Sequence, residues 1–415
     1  MGINPRVTGR PYTTVIRRVF KAFQYRDFRL MWFGACTSSI GTWMQIVAQS
    51  WLVYKLSNSA FLLGLDTFLG GIPIFLFSLF GGVAADRIER RRLLLASQWT
   101  QMATAFTLTG LVLLNAVHIW EILCLSFIAG FAQAFGGPAY QALIPTLVEK
   151  EDMPNAIALN SIQFNIATII GPTLGGLALV KLNDAWCFGL NGLSFFAPIV
   201  SLLMLKKRFI PEPTTESILN SMKEGFRFIG KQRAMGALML LAFLMTFLSM
   251  PLRTFLIVFS RDIFHRGPET FTTFISVMGV GSVCGALIVA WMGNVRNKGK
   301  VALTMLICLG AGISGFSLST SLAASYVLLF FGGASMIAVF AMVSSLVQLI
   351  VTNEMRGRVM SAYNFAFRGG MPLGNLLTGW LVPLFTAPVV IAVNGLALIV
   401  IALYFLLIHR RVAAL

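Results

Sequence analysis

Apolar runs of about 20 residues recur along the whole chain, and no other feature narrows its folding choices so far. A helix rises about 1.5 Å per residue, so each run is long enough to cross roughly 30 Å of hydrocarbon. Within a bilayer every backbone polar group must be paired inside the protein, which leaves helices or a closed barrel. These runs are continuously apolar and do not alternate, so a β-barrel is excluded. Composition agrees: 57% of the 415 residues are hydrophobic and only 11% are charged, against about 25% charged in a soluble domain. The reading is an all-α membrane protein with twelve transmembrane helices. The spans are predicted at residues 28–53, 60–85, 93–116, 120–143, 155–180, 186–205, 234–259, 271–293, 301–320, 323–350, 358–383 and 387–408. The first 25 residues lack the apolar core and cleavage site of a signal peptide, so the N-terminus is expected to be retained.

The spans divide the chain into segments. Residues 1–27 are a polar, basic N-terminal segment, expected to lie on anionic lipid heads. A six-helix bundle at 28–205 and a second at 234–408 flank a linker at 206–233, and a tail occupies 409–415. The linker holds Pro211 and Pro213, then Thr215-Glu216-Ser217 as candidate caps. Ile218, Met222, Phe226 and Ile229 then share one face, the pattern of a helix lying in the membrane interface.

The net charge of +17 invites a nucleic-acid reading, but its placement argues against one. With the N-terminus inside, the outer loops hold only Lys55, Lys181, Arg261 and Arg266. Arg253 and Arg368 fall inside spans, and the rest of the 32 Lys and Arg lie in cytoplasmic segments. The positive-inside rule therefore puts both termini in the cytoplasm and accounts for the charge without nucleic acid. The five cysteines lie far apart in apolar runs, with no metal-ligand spacing, and read as small buried hydrophobes. His118, His265 and His409 sit at span ends or in loops. No catalytic constellation and no nucleotide-binding loop are present, so neither an enzyme nor a cofactor is expected.

One short loop carries the sharpest local signal. Residues 81–92 read GGVAADRIERRR, and join two apolar runs. Asp86 follows a glycine pair, and Arg87, Arg90, Arg91 and Arg92 suit the negative end of the preceding helix. This stretch resembles the signature loop of the major facilitator superfamily, G-x-x-x-D-R/K-x-G-R/K-R/K, with Gly82, Asp86, Arg87, Arg90 and Arg91 in register. Glu89 stands where the family usually has glycine. A left-handed turn there would cost a non-glycine residue about 1 kcal/mol; local pairing with Arg91 or Arg92 is the alternative. The chain also repeats itself: Gly171-Pro172 in span 5 matches Met371-Pro372 in span 11, and Gly-rich text follows both.

Further text narrows the resemblance. IGTWMQIVAQSWLVYKLSNSA, EDMPNAIALNS, GPTLGG, WCFGLNGLSF, RGRVMSAYNFAF and MPLGNLLTGW together look like the superfamily branch of enterobactin, macrolide and drug exporters. The resemblance implies two pseudo-symmetric six-helix bundles rocking about a central cavity, with proton entry commonly driving export. It also implies a packing motif in span 5, where Gly171, Pro172, Gly175 and Gly176 match the antiporter text and Ile162 replaces its first glycine. Small residues let helices approach closely, and span 8 answers with Gly279, Gly281 and Gly285. Close relatives often read F-D-x-P-x-R-Q at the end of span 4, with arginine before the span-5 G-P. Here the texts are FGGPAYQ and Thr168, so an acid and two bases are missing.

Three charges lie inside spans. A charge at mid-bilayer costs roughly 2.5–3.5 kcal/mol on insertion scales, so Asp66 needs a partner, a cavity or a proton. Asp66 is expected to pair with Arg253 or Arg368, either as a proton-sensitive outer gate or as a static ion pair. The resemblance implies that Asp86 docks near the start of span 11, where Arg356 and Arg358 could add to the contact, as a cytoplasmic latch. The substrate surface is expected from spans 1, 4, 7 and 10, with help from 2, 5, 8 and 11. Its candidate polar groups are Gln45, Gln49, Gln133, Asn165, Gln348 and Asn364, and its apolar ones Trp43, Phe135, Phe247, Phe340 and Met342. Such a list suits an amphipathic organic molecule. With the resemblance, which implies export, protons as coupling ion and a monomer, the expectation is an exporter of siderophore-like or drug-like small molecules in the bacterial inner membrane, with protons and membrane lipids as partners. A lipid or lysolipid mover, an uncoupled facilitator and a non-transporting receptor or sensor are the rival readings.

Overall fold

A computed structural model describes residues 20–205, 227, 229, 230, 232–293, 297–352, 355–408, 410 and 412–414. The interfacial helix expected in the linker, apart from Ile229, lies outside the described residues, as does Arg296 in the basic loop of the second half. Twelve membrane-length segments appear where the apolar runs placed them. Spans 1 to 6 are Arg26–Ser57, Ala60–Arg87, Arg90–Leu113, Ile119–Leu143, Met153–Lys181, and Asp184–Ser194 continued by Phe196–Met204. Phe195 interrupts span 6 only in its hydrogen bonding, because its backbone stays helical at φ −68° and ψ −18°. Spans 7 to 12 are Arg233–Val258, Pro268–Met292, Lys298–Leu318, Leu322–Ile350, Arg356–Phe385 and Ala387–Leu403. Single π-helical turns at Phe259–Ile263 and Tyr404–Ile408 extend spans 7 and 12.

Among the described residues, nine of these helices are long and apolar enough to cross a membrane on length and composition alone. Spans 1, 3 and 11 are the other three. They are long enough to cross, but carry Gln45 and Gln49, Gln98 and Gln101, and Asn364 and Arg368 respectively, all lining one internal cavity.

The packing repeats itself. Span 1 lies on span 5, span 2 on span 4, and span 3 on spans 4 and 6. Six helices later the same pattern returns, with 7 on 11, 8 on 10, and 9 on 10 and 12. Between the halves the main seams are 2 on 11 and 5 on 8, which this pseudo-twofold relation exchanges. The result is a twelve-helix bundle of two pseudo-symmetric halves.

Close approach at glycine sets the register of both halves. A side chain at Gly171 would meet Trp43 Cβ at 2.4 Å and the Ile40 carbonyl at 2.7 Å. One at Gly374 would meet the Phe247 carbonyl at 2.0 Å, and one at Gly370 would meet Thr246 Oγ1 at 2.1 Å. Gly171 and Gly175 on span 1 thus correspond to Gly370 and Gly374 on span 7, one residue away from the Gly-Pro to Met-Pro match of the sequence. The expected packing of the span-5 motif on span 8 is corrected by the same contacts. Residues four apart share a helix face, so Gly171 and Gly175 both meet span 1, and only Gly176 turns to Thr272 of span 8. On span 8, Gly279 faces span 5, whereas Gly281 and Gly285 abut the Phe330 and Ala334 carbonyls of span 10.

Two ends of the bundle can be told apart by charge. Arg87–Arg92, Lys150 and Arg356–Arg358 lie at what is here termed the basic face; the loops at Asn58, Leu182 and Arg261–Gly267 lie at the far face. At the basic face, Asp152 accepts from Lys21 Nζ at 2.7 Å, Tyr25 Oη at 2.9 Å and Gln24 Nε2 at 2.9 Å. The lysine bond above all holds the Asp152 carboxyl below the usual carboxylate range. The clasp fastens the start of span 1 to the start of span 5, and Asn155 Oδ1 adds a bond from the Ala22 amide at 2.8 Å.

Candidate substrate cavity and its two ends

A cavity of about 1310 Å³ lies between the halves, and its wall comes from spans 1 to 6 and from span 11. It reaches the basic ends of its helices at Met31, Asp86, Gln141, Gly357 and Arg358, so it opens there. Among the expected cavity residues, Trp43, Gln45, Gln49, Gln133, Asn165 and Asn364 line it. Five others do not. Phe135 packs on Phe131, Phe247 stacks on Phe243, Phe340 stands edge-on to Phe367, and Met342 is buried in the core. Gln348 is exposed and bonds Ser344 Oγ one turn back on its own helix. The expected share of spans 7 and 10 is therefore corrected: in the second half the wall belongs to span 11. An equal split by sequence symmetry overlooked that only span 11 turns a polar stripe inward.

The deepest polar cluster centres on Asp66. Its two carboxylate oxygens each accept from Gln49 Nε2 at 3.0 Å, and Oδ1 also accepts from Ser126 Oγ at 2.5 Å. Spans 1, 2 and 4 thus meet at one buried acid. From Gln49 the network runs on: Gln45 Nε2 donates to Gln49 Oε1 at 3.4 Å, and Asn191 Nδ2 donates to Gln45 Oε1 at 2.7 Å. Every partner of Asp66 is neutral and belongs to the first half.

The expected ion pair of Asp66 with Arg253 or Arg368 is absent among the described residues. Arg253 instead lays its guanidinium over the Trp43 ring, 4.2 Å from the centroid, across the seam between the halves. Arg368 lines the cavity. Depth along the helix, which sequence supplies, does not reveal which way a side chain turns, and the three point to different neighbours.

The far end is closed by residues that the sequence reading did not single out. Tyr54 Oη, at the end of span 1, donates to Asp262 Oδ2 in the π-turn after span 7. Arg261 Nη1 donates to the Tyr54 carbonyl at 3.2 Å, and its guanidinium lies 5.5 Å from the Tyr54 ring centre. Trp51 stacks on Phe271 beside them. Spans 2 and 11 are drawn together where a side chain at Gly64 would meet the Asn375 carbonyl at 2.5 Å. The acid and base lie side by side in a loop, Arg261-Asp262, and only span-7 geometry brings them to Tyr54.

At the basic end the loop of residues 81–92 acts mostly within its own half. Arg90 donates to the Ala85 carbonyl at 3.3 Å and the Ala142 carbonyl at 2.9 Å, at the ends of spans 2 and 4. Arg91 donates to the Leu203 carbonyl at 2.9 Å, at the end of span 6. Both satisfy carbonyls left unpaired at helix C-termini, which corrects their assignment to a latch between halves. Glu89 pairs with Arg92 at 2.9 Å, and its φ of −52° shows that the turn requires no left-handed residue. Gly82 has open space within 4 Å of where a side chain would begin; Gly81 is the packed glycine, 2.2 Å from the Ala134 carbonyl. Asp86 and Arg358 both line the cavity mouth, and no ion pair joins them in this state. Among the described residues, span 11 begins at Arg356 with no side-chain cap from Met355 and no acid in its first turn.

Known proteins share both the sequence and the fold. Residues 18–414 match the family model described as transmembrane secretion effector, a major facilitator family. The multidrug efflux pump Tap of Mycolicibacterium fortuitum is 25% identical over 84% of this chain and 88% of its own. The enterobactin exporter EntS of Citrobacter koseri is 26% identical over 92% of this chain and 91% of its own. Among solved structures, a POT peptide transporter bound to sulfate superposes with a TM-score of 0.74 at 13% identity, covering 94% of this chain and 95% of its own. The nucleoside transporter NupG superposes with a TM-score of 0.71 at 13% identity, covering 92% and 98%. These two likenesses concern the fold alone.

Proposed function

The chain belongs to the transmembrane secretion effector family of major facilitator transporters, and from that premise we propose that it exports amphipathic small molecules by proton-coupled alternating access. The observation that carries the reading is a cavity open at the basic face, closed at the far face, with a buried acid in its wall. Charge asymmetry makes the basic face cytoplasmic, with both termini inside and the bacterial inner membrane as the site. Residues 28–205 and 234–408 then act as the two rocking bodies, joined by 206–233, in a monomer surrounded by lipid.

In this reading the substrate enters from the cytoplasm and rests against the amide-rich wall. The multidrug-efflux and enterobactin-exporter relatives support an organic cargo. Asp66 is the coupling group. An ionised carboxylate accepts the bonds of Gln49 and Ser126; a protonated one must give up an acceptor site and becomes a donor. Proton binding therefore rearranges the contact among spans 1, 2 and 4, and through Gln45 and Asn191 reaches span 6. As the far face opens, the Tyr54–Asp262 bond breaks. As the basic face closes, Asp86 approaches the start of span 11, where a carboxylate gains about 0.3–1 kcal/mol from the helix dipole.

The test is flux in proteoliposomes with a panel of siderophores, cationic drugs and lysolipids, with and without an imposed pH gradient. Gradient-driven flux that Asp66→Asn makes indifferent to the gradient supports the proposal. Equal flux with and without the gradient in the parent chain removes proton coupling, and no flux for any member removes export of these cargos.

A further inference from the structure

Three charges lie within spans away from the helix ends: Asp66, Arg253 and Arg368. Two are already answered. Asp66 is held by Gln49 and Ser126, and Arg253 rests on the face of Trp43, an arrangement favourable for a cation. Arg368 has no ion pair, hydrogen bond or aromatic contact among the described residues, and its side chain is open to the cavity. Charged residues held at this depth belong to a partner, a water-filled path or a ligand.

Arg368 is also part of a built surface. Arg358, Ser361, Asn364, Phe365, Arg368 and Met371 all line the cavity from span 11. Their spacing of three to four residues makes one continuous helical stripe. It carries a cation at the mouth and a second cation about 15 Å deeper, at 1.5 Å per residue. Between them lie a hydroxyl and an amide, and beyond them an apolar thioether. The facing half supplies amides, among them Gln45, Gln101, Gln133 and Asn165. That half turns two acids to the cavity: Asp66, whose carboxylate accepts from Gln49 and Ser126, and Asp86 at the mouth. A guanidinium presents a planar fork of N–H donors that matches a carboxylate or a similar oxyanion.

We propose that the cavity selects amphipathic organic anions, with the acid group of the substrate bound by Arg368 and its neutral hydrogen-bonding groups by the amide wall. This rests on the transport reading above and specifies its substrate class. The anion enters past Arg358, is drawn inward by the second cation, and exchanges water for the Arg368 fork. Cationic amphiphiles meet an unneutralised arginine in the same place and are disfavoured.

The experiment uses the full chain and matched probes: dansylglycine, dansylphenylalanine and dansyltryptophan, each with its methyl ester, and rhodamine 6G as a cation. Binding to the detergent-purified chain is followed by dansyl fluorescence, and flux is followed separately in proteoliposomes. The expected result is at least tenfold tighter binding of the acids than of their esters. Arg368→Gln abolishes that preference, and Arg368→Lys, which keeps the charge, retains most of it. Size-exclusion profiles of both variants establish that they fold. Esters binding as well as acids, no binding by any acid, or a preference that survives Arg368→Gln in folded protein overturns the proposal. Acid-selective binding lost in Arg368→Gln, with no flux of any probe, upholds the anion site and counts against export. Flux of rhodamine 6G with no binding of the acids upholds export and removes the anion site.

Discussion

The two halves of this molecule have the same scaffold and different interiors. Their glycine contacts give the register. Gly171 and Gly175 on span 1 correspond to Gly370 and Gly374 on span 7, and Gly130 against the Gly70 carbonyl corresponds to Gly333 against the Met278 carbonyl. Carried along the helices, that register places Leu252 opposite Gln49, Phe274 opposite Asp66, and Leu329 opposite Ser126. All three counterparts are buried in the hydrophobic core, and Phe274 packs against Phe264, Phe316 and Tyr326. Where the first half has a hydrogen-bonded acid, the second has an aromatic cluster. The difference teaches that backbone packing and chemistry are separable: close helix crossings are used twice, and the titratable group once.

Substitutions that copy one half into the other break this contrast most strongly. Gln49→Leu leaves Asp66 buried with its main donor gone. A hydrogen bond to a charged group contributes about 1.5–3 kcal/mol, so gradient-driven flux is expected to fall about tenfold or more, read in proteoliposomes beside an unchanged elution profile. Tyr54→Phe is the next largest. Its counterpart in register is Ile257, buried and apolar, so the donor of the far-end bond is supplied by one half alone. Removing it should shift the balance toward far-side opening about tenfold, from the same range of about 1.5–3 kcal/mol. Spin-label distances between span 1 and span 7 at the far end read the shift.

The scaffold itself should respond symmetrically. Gly171→Ala and Gly370→Ala, counterparts in register, each force a methyl onto a side chain and a backbone carbonyl of the facing helix, and overpacking costs about 1–3 kcal/mol. Thermal unfolding in detergent should fall by similar amounts for both; a large effect in one half alone contradicts the shared register. The smallest effect belongs to Gly82→Ala, which meets open space and should stay within about 0.5 kcal/mol in the same assay.

The fold was legible because hydrophobic length is a one-dimensional property. Span 4 was expected at 120–143 and is Ile119–Leu143; span 10 was expected at 323–350 and is Leu322–Ile350. The cavity wall was legible in part. Gln45, Gln49 and Asn364 declare themselves as amides inside apolar runs, and Asp66 as an acid. What remained hidden was direction around the helix. Asp66, Arg253 and Arg368 invite pairing by depth, yet one meets Ser126, one meets Trp43 and one meets the cavity. Ser126 gave no signal of its own, since a serine in an apolar run commonly bonds its own helix. Tyr54 and Asp262 lie more than 200 residues apart, and nothing local to either marks the other. Gly82 shows the opposite error: it matches a motif, while its neighbour Gly81 makes the contact.

Spans 1, 3 and 11 carry several of the cavity's amides and its two arginines, and for that reason they are also the helices with least claim to a bilayer on their own. The consequence falls on synthesis. On insertion scales a central arginine opposes membrane entry by about 2.5–3.5 kcal/mol, and Arg368 imposes that burden on span 11. Each of the three is followed by a helix with a stretch long and apolar enough to cross a membrane: spans 2, 4 and 12. Insertion as hairpins, the reluctant helix drawn in with its successor, is the order of assembly that such an alternation favours. The groups that would hold a cargo in the finished protein thus set the units in which a ribosome and translocon must deliver it.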